Sequence, residues 1–363
     1  MTDKTFTVQK QFLVALANRV FKHGRGLLTF RSPLIEKPLL KVDREFKTRE
    51  VIDHDAFASS RKVAVHGDPA ANEEMPIWKD FTLALQASGA IKPRNWEAFL
   101  EWLSGVEKDS KSPEHVTNPV AIAIDTNVAY NRLFSRHLDP AWGPARDFTI
   151  LYSQGVIGEI DCHIGGKVGR EELRRLYLAP KHEPYLDQLA NRNSLETRRA
   201  KLAQNEIDYL KKEHRAVPTP CGAYQGDKEA FDAEIARSYA SSVHDRALSA
   251  YMITFDQNMG DHAKNAGLPR FILEPPDEKL FNGASLELAL PALIHDMAVL
   301  LGVLVMEPFG IHIWGEWAGK TSADYEAERV KVEMESKTPI VDLLSRDVEI
   351  GQALFKEVAK WPQ

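Results

Sequence analysis

The sequence contains few cysteines, with only Cys162 and Cys221 in 363 residues. Two thiols cannot build a disulfide scaffold or fill a four-cysteine zinc site. No apolar run approaches the ~20 residues that a membrane helix needs, and the amino terminus shows no apolar signal core. We therefore expect no membrane partner and a reducing, cytoplasmic location.

The chain also lacks an excess of positive charge, since its formal net charge is −6. This balance argues against a basic coat over the whole surface of the kind that attracts nucleic acid. A few Lys and Arg side chains around one cleft can still neutralise phosphates locally. The hydrophobic fraction of 44% and the charged fraction of 27% are typical of a folded globular protein.

The length and pattern of the chain predict three consecutive regions. They are residues 1–115, a mixed accessory region, residues 118–275, a central α/β domain, and residues 276–363, a small α+β accessory region. The polar run 108–118 is the predicted linker, because Pro113 and Pro119 punctuate it.

Strand and helix patterns alternate within the central region. Residues 120–124 (VAIAI) form a short apolar run that is typical of a strand buried on both faces. Further strands are predicted at 148–152, 251–254 and 270–273, and helices at 156–164, 194–214, 231–243 and 262–266. This alternation predicts an α/β fold with a parallel sheet covered by helices.

Acidic residues stand where the predicted strands end. Asp125 directly follows the strand 120–124, and Asp256 follows the strand 251–254 after one intervening residue. Glu159 lies on the helix after the second strand, and Asp232 in the first turn of the helix before the third. Because ligands of open α/β sheets collect at the carboxyl ends of the strands, we expect these acids to converge.

Four converging carboxylates repel one another unless cations hold them together. Oxygen ligands of this kind suit Mg²⁺ or Mn²⁺. Such ions polarise a phosphoryl oxygen, make hydroxide available from bound water and stabilise the leaving oxygen. We therefore predict phosphodiester hydrolysis, with Asp125 as principal ligand, Glu159 and Asp232 completing the site, and Asp256 as ligand or water-orienting group.

Four segments, taken in order, resemble the motifs of PIN-domain nucleases, with a leaning toward the PINc-like, RNA-processing branch. They are residues 121–127 (AIAIDTN), 152–161 (YSQGVIGEID), 231–239 (FDAEIARSY) and 253–259 (ITFDQNM), within roughly 120–273. The resemblance implies a three-layer α/β/α fold with a central parallel sheet. It also implies metal ligation and catalysis by Asp125, Glu159, Asp232 and Asp256, with Thr126, Asn127 and Thr254 in supporting roles.

Some assignments stay open at the level of the sequence. Asp227 and Glu234 lie close to Asp232 and are rival candidates for the third acid. A basic stretch after the Glu159 helix is either a phosphate-holding loop or a solvated connector. Its candidate contacts to nucleic acid are Lys167, Arg170, Arg174 and Arg175.

The resemblance implies a metal-dependent endoribonuclease that acts on RNA and that pairs as a homodimer. One alternative is a catalytically silent PIN-like scaffold that binds RNA or a protein partner. Another is a structure-specific DNA nuclease with the same metal chemistry, because a sheet and four acids do not distinguish RNA from DNA. Contacts to the 2′-hydroxyl would make that distinction.

Overall fold

The computed structural model describes residues 3–24, 26–35, 37–64, 66–67, 69–112, 119–142, 148–177, 182–222 and 227–358. Its strands, β1 to β14 in chain order, are Lys4–Gln9, Leu27–Arg31, Leu40–Asp43, Thr48–Val51, His66–Gly67, Val120–Ile124, Thr149–Ser153, Leu176–Tyr177, Val217–Thr219, Ser249–Thr254, Arg270–Ile272, Val303–Glu307, Ile311–Trp314 and Arg329–Met334.

The helices, α1 to α16, are Phe12–His23, His54–Ala64, Pro69–Glu73, Trp78–Ala87, Trp96–Ser110, Thr126–Tyr130, Asp139–Trp142, Gln154–Cys162, Arg170–Arg174, Glu183–Leu189, Leu195–Glu213, Lys228–Arg246, Gln257–Asn265, Leu290–Leu301, Ser322–Glu326 and Val341–Val358. A π-helix, Leu133–Leu138, lies between α6 and α7, and a 3-10 helix, Glu278–Leu280, precedes α14. Among the helices of the described segments, none is both long and apolar enough to cross a membrane.

The chain folds into two compact units. The parallel-sheet unit comprises Ile91–Ile164 and Arg199–Glu278, and the antiparallel-sheet unit comprises Met1–Ala90, Gly165–Arg198 and Lys279–Gln363. These units differ from the consecutive regions 1–115, 118–275 and 276–363, because strands from both ends of the chain share one sheet. β1 pairs with β14, and β2 pairs with β12. Most of the predicted linker 108–118 lies outside the described residues, and α5 continues to its position Ser110.

The parallel-sheet unit is built on a five-stranded sheet in the order β11-β10-β6-β7-β9. All of its strand pairs are parallel. The side chains of β6 are all buried, as a strand with helices on both faces requires. Helix α5 packs against β6, α12 against β7 and β10, and α13 against β10 and β11. The α/β class and the parallel sheet predicted from the sequence are therefore confirmed.

The antiparallel-sheet unit contains a seven-stranded sheet in the order β1-β14-β13-β12-β2-β3-β4, and a two-stranded sheet of β5 and β8. Helix α14 packs against β12, β13 and β14 and against helices α1 and α4. All of its residues except Pro291 are buried. Gly315, just after β13, lies against the backbone of this helix, where a Cβ atom would come within 2.1 Å of the Ala298 carbonyl carbon.

Candidate active site at the carboxyl edge of the parallel sheet

The order of the parallel strands creates a crevice between β6 and β10. From β6 the chain proceeds to β7 and β9 on one side, and then returns to β10 and β11 on the other. In open α/β sheets, ligands bind at such a reversal, beyond the carboxyl ends of the strands. Ile124 pairs with Ile253 here, so the residues that follow β6 and those that end β10 are neighbours.

Asp125 occupies this reversal and is only 1% exposed. Its Oδ1 accepts a hydrogen bond from Val128 N at 2.9 Å, which caps α6, and its Oδ2 accepts from Thr254 Oγ1 at 2.6 Å. Asn127 Nδ2 also donates to Oδ2, at 3.4 Å. Burial raises the pKa of Asp125 to about 7, and the charge of Asp256 adds to the increase. A helix can also be capped by an exposed side chain, so capping α6 does not explain why the carboxylate of Asp125 is buried.

Asp256 stands on the neighbouring strand end, where it caps α13. Its Oδ1 accepts a hydrogen bond from Asn258 N at 2.8 Å, and its own N–H donates to Thr254 Oγ1 at 2.8 Å. Thr254 thus connects the two acids, because its hydroxyl donates to Asp125 and accepts from the Asp256 backbone. A supporting role for Thr254 stays a prediction, and these hydrogen bonds are the contacts that it would use.

Glu159 enters the same edge from α8, whose N-terminus follows β7 directly. The hydroxyl of Thr126 donates a hydrogen bond to Glu159 Oε2. Thr126 itself is the first residue of α6 and follows Asp125. Thr126, which is also predicted to have a supporting role, therefore joins the segment of Asp125 to the helix that carries Glu159.

The structure separates Asp232 from its rivals. Asp227 caps α12 by accepting from Ala230 N at 3.1 Å, and Glu234 accepts from Gly222 N at 2.8 Å. Asp232 is 7% exposed, and burial, followed by the charge of Glu159, raises its pKa, as does the charge of Asp256. Asp232 is therefore the acid that faces the other predicted acids. It lies in the second turn of α12, because the helix begins at Lys228 and not near Phe231.

Three further residues at this edge were not assigned from the sequence. Lys228 and His262 lie close enough to Asp232 for their charges to lower its pKa. The hydroxyl of Tyr239 donates to Ile124 O and accepts from Ser153 N at 2.7 Å, so it bridges the ends of β6 and β7. Helical spacing is a signal that could have revealed Lys228, which precedes Asp232 by one turn.

The basic residues proposed as contacts to nucleic acid lie in the other unit. Arg170 Nη2 donates to Asp187 Oδ1 at 3.0 Å, and Arg174 Nη1 donates to Glu171 Oε1 at 2.8 Å. The antiparallel-sheet unit holds all four of them, Lys167, Arg170, Arg174 and Arg175. Two of the four thus already pair with carboxylates of their own unit.

The four acids do not form the tightest group of ligand-type side chains. Within the described residues, one set of three His, Cys, Asp or Glu side chains has its ligand atoms all within 4.8 Å of one another. It consists of His295, Asp296 and Glu328, in the antiparallel-sheet unit. The acids of the parallel sheet affect one another through their charges, but no three of them have ligand atoms within this distance of one another.

Comparison with known proteins assigns no family. No protein-family model matches the chain, and no curated protein matches it. A solved structure, a domain of a functionally unknown protein from Methanocaldococcus jannaschii DSM 2661, is similar at 16% identity with a TM-score of 0.28. The alignment covers 44% of this chain and 94% of that chain. A likeness at this level supports no functional argument.

Proposed function

We propose that the parallel-sheet unit is a metal-dependent endoribonuclease of the PIN type, with Asp125, Glu159, Asp232 and Asp256 as ligands of Mg²⁺ or Mn²⁺. One observation carries this proposal. Asp125 is buried at the strand-order reversal, where burial and the charge of Asp256 raise its pKa to about 7. A divalent cation would stabilise the carboxylate that burial alone disfavours.

The donor set fits such an ion, because it consists of carboxylate oxygens braced by hydroxyl and amide groups. When bound, the ion polarises the phosphoryl oxygen and makes a hydroxide available. Thr254 and Asn127 orient the Asp125 carboxylate, and Thr126 orients that of Glu159. Lys228 supplies positive charge near Asp232 and is placed to interact with a phosphate group.

RNA as the substrate and the homodimer rest on the resemblance of the four motifs to PIN-domain nucleases. The cytoplasmic location belongs to the same proposal, and the free thiols of Cys162 and Cys221 agree with it. The runner-up functions are a silent scaffold that binds RNA or protein, and a nuclease specific for DNA structure. The cleavage assay described next distinguishes both of these functions from the proposed one.

The test incubates the purified chain with labelled single-stranded and double-stranded RNA and DNA in Mg²⁺, Mn²⁺ or EDTA. We expect RNA cleavage that EDTA abolishes and that Asp125→Asn and Asp232→Asn each reduce by more than about 100-fold. Asp227→Asn is the matched control, because it removes a carboxylate from the start of the same helix as Asp232 and should retain cleavage.

Cleavage that persists in EDTA and in Asp125→Asn would exclude the metal–carboxylate mechanism. Binding of RNA without cleavage in any metal would replace the proposal with the scaffold function. Cleavage of DNA alone would retain the chemistry and overturn RNA as the substrate.

A further inference from the structure

The antiparallel-sheet unit contains ionisable side chains inside its apolar core. Helix α14 has the sequence LPALIHDMAVLL, in which His295 and Asp296 interrupt an otherwise apolar helix. Both residues are 0% exposed. Burying an ionisable pair this deeply costs free energy unless a partner of opposite charge or a metal ion compensates. The pair therefore requires an explanation that packing does not supply.

The imidazole of His295 is held in one orientation. Its Nδ1 lies 2.6 Å from Asp296 Oδ1, so a proton on Nδ1 is shared with the carboxylate. This tautomer leaves the lone pair on Nε2, which finds no hydrogen-bond partner among the described residues. A histidine whose second nitrogen is bound to a carboxylate is the arrangement that metal-binding histidines usually show.

A third ligand-type side chain completes the group. The ligand atoms of His295, Asp296 and Glu328 lie within 4.8 Å of one another. Glu328 stands just before β14 in the left-handed region, with φ +47°, a conformation that non-glycine residues adopt at a cost. Lys10 Nζ forms an ion pair with Glu328 Oε2, so an ammonium group already contributes positive charge beside this carboxylate.

We propose that His295, through Nε2, and Glu328 bind one first-row transition-metal ion, of which Zn²⁺ is the reference case, while Asp296 orients the imidazole through Nδ1. The combination of imidazole with carboxylates favours such ions over Mg²⁺, which prefers oxygen ligands. Lys10 offsets one of the two carboxylate charges, so binding of the ion would displace this ammonium group from Glu328. The site belongs to the antiparallel-sheet unit and is distinct from the acids of the proposed nuclease edge.

The consequence of binding is structural. The ion would connect α14, which is buried in this unit, to the residue just before β14. A metal bound only to the folded state adds its binding free energy to the stability of that state. Removal of the ion is therefore expected to lower the unfolding temperature of the chain without requiring any change in a catalytic residue.

The test measures the metal content of the purified full chain by atomic emission, and then titrates the chelator-treated chain with Co²⁺. We expect about one transition-metal ion per chain with His295 as a ligand, and visible d–d absorption from Co²⁺. The same absorption should persist in Asp125→Asn, which removes the central acid of the parallel sheet. Failure of the nuclease proposal would leave this result unchanged.

His295→Gln and Glu328→Gln are each expected to weaken Co²⁺ binding by about tenfold or more. Glu335→Gln is the matched control, because Glu335 pairs with Lys337 at the surface and should retain the absorption. Should His295→Gln fail to fold, Glu328→Gln and the wild-type chain decide the question. Metal-free wild-type protein without d–d absorption, or absorption that survives Glu328→Gln undiminished, would overturn the proposal and leave a buried ion-pair network.

Discussion

The four predicted acids of the parallel-sheet unit lie at one edge of its sheet, whereas His295 and Asp296 of the antiparallel-sheet unit lie within the core. All strands of a parallel sheet end at the same side, so Asp125 and Asp256 become neighbours although the chain separates them widely. Neighbouring strands of an antiparallel sheet end at opposite sides and create no such edge. There the ionisable pair comes from one buried helix, α14. Fold topology therefore decides whether similar residues form an open crevice or a closed cluster.

The largest expected effect concerns how closely each unit is packed around a glycine. In the antiparallel-sheet unit, a Cβ at Gly315 would lie 2.1 Å from the backbone of α14. In the parallel-sheet unit, a Cβ at Gly155 would lie 2.7 Å from the side-chain atom Cγ1 of Ile235. Because a backbone cannot rotate away as a side chain can, we expect Gly315→Ala to lower the free energy of unfolding by about 3 kcal/mol.

The matched substitution Gly155→Ala should cost about 1 kcal/mol, because the neighbouring side chains can shift. Urea unfolding followed by circular dichroism measures both effects. Equal losses for the two variants would contradict the distinction between backbone contact and side-chain contact.

The second prediction concerns the buried carboxylate of the open edge. Burial raises the pKa of Asp125 from its ordinary value of 3.8 to about 7, so the folded state favours the protonated carboxyl group. The stability that this protonation contributes is fully present below pH 3.8. That contribution is lost as the pH rises through about 7. In EDTA, Asp125→Asn should therefore be more stable than the wild type at pH 8, by about 1–3 kcal/mol, and by a smaller margin at pH 5.

Urea unfolding at both pH values, with and without Mn²⁺, provides the measurement. Mn²⁺ should reduce the advantage of the variant, because only the wild type retains the full set of carboxylates. An advantage of the same size at pH 5 and pH 8 would show that ionisation of Asp125 is not its cause.

The smallest effect is expected from the basic residues of the antiparallel-sheet unit. Arg170 and Arg174 form ion pairs at the surface, and such pairs contribute little to stability. The double variant Arg170→Ala, Arg174→Ala should leave thermal unfolding unchanged. If these residues contact phosphates, the double variant should bind labelled RNA more weakly than the wild type, and its affinity should depend less steeply on salt concentration. An unchanged salt dependence would confine RNA recognition to other parts of the chain.

The sequence predicts a strand at residues 120–124 and another at residues 329–334, and the structure forms both at these bounds, as β6 and β14. β6 is a continuous apolar run, and β14 alternates buried and half-buried residues, so each carries its own pattern. β9 was not predicted, because it has only three residues and contains Pro218. Residues 319–322 (GKTS) predict a turn between strands, and this prediction is wrong in part, since the short helix α15 begins at Ser322.

The arrangement of the ends of the chain could not be predicted from local patterns. The pattern of residues 8–21 predicts a helix there, but the helix begins at Phe12, and residues 4–9 form β1. β1 is defined by its pairing with β14, whose residues lie more than three hundred positions away. The carboxylates of the open edge were predictable because strand ends mark them. The group of His295, Asp296 and Glu328 was not predictable, because Glu328 is distant in sequence and approaches the other two only in the folded chain.

The phenol of Tyr239 gives the open edge a property that its acids alone do not have. It is anchored on α12 with Asp232, donates to the residue before Asp125, and accepts from Ser153, which caps α8, the helix of Glu159. One rigid ring thus spans the three segments that carry these acids. The relative positions of these three segments therefore depend on one side chain.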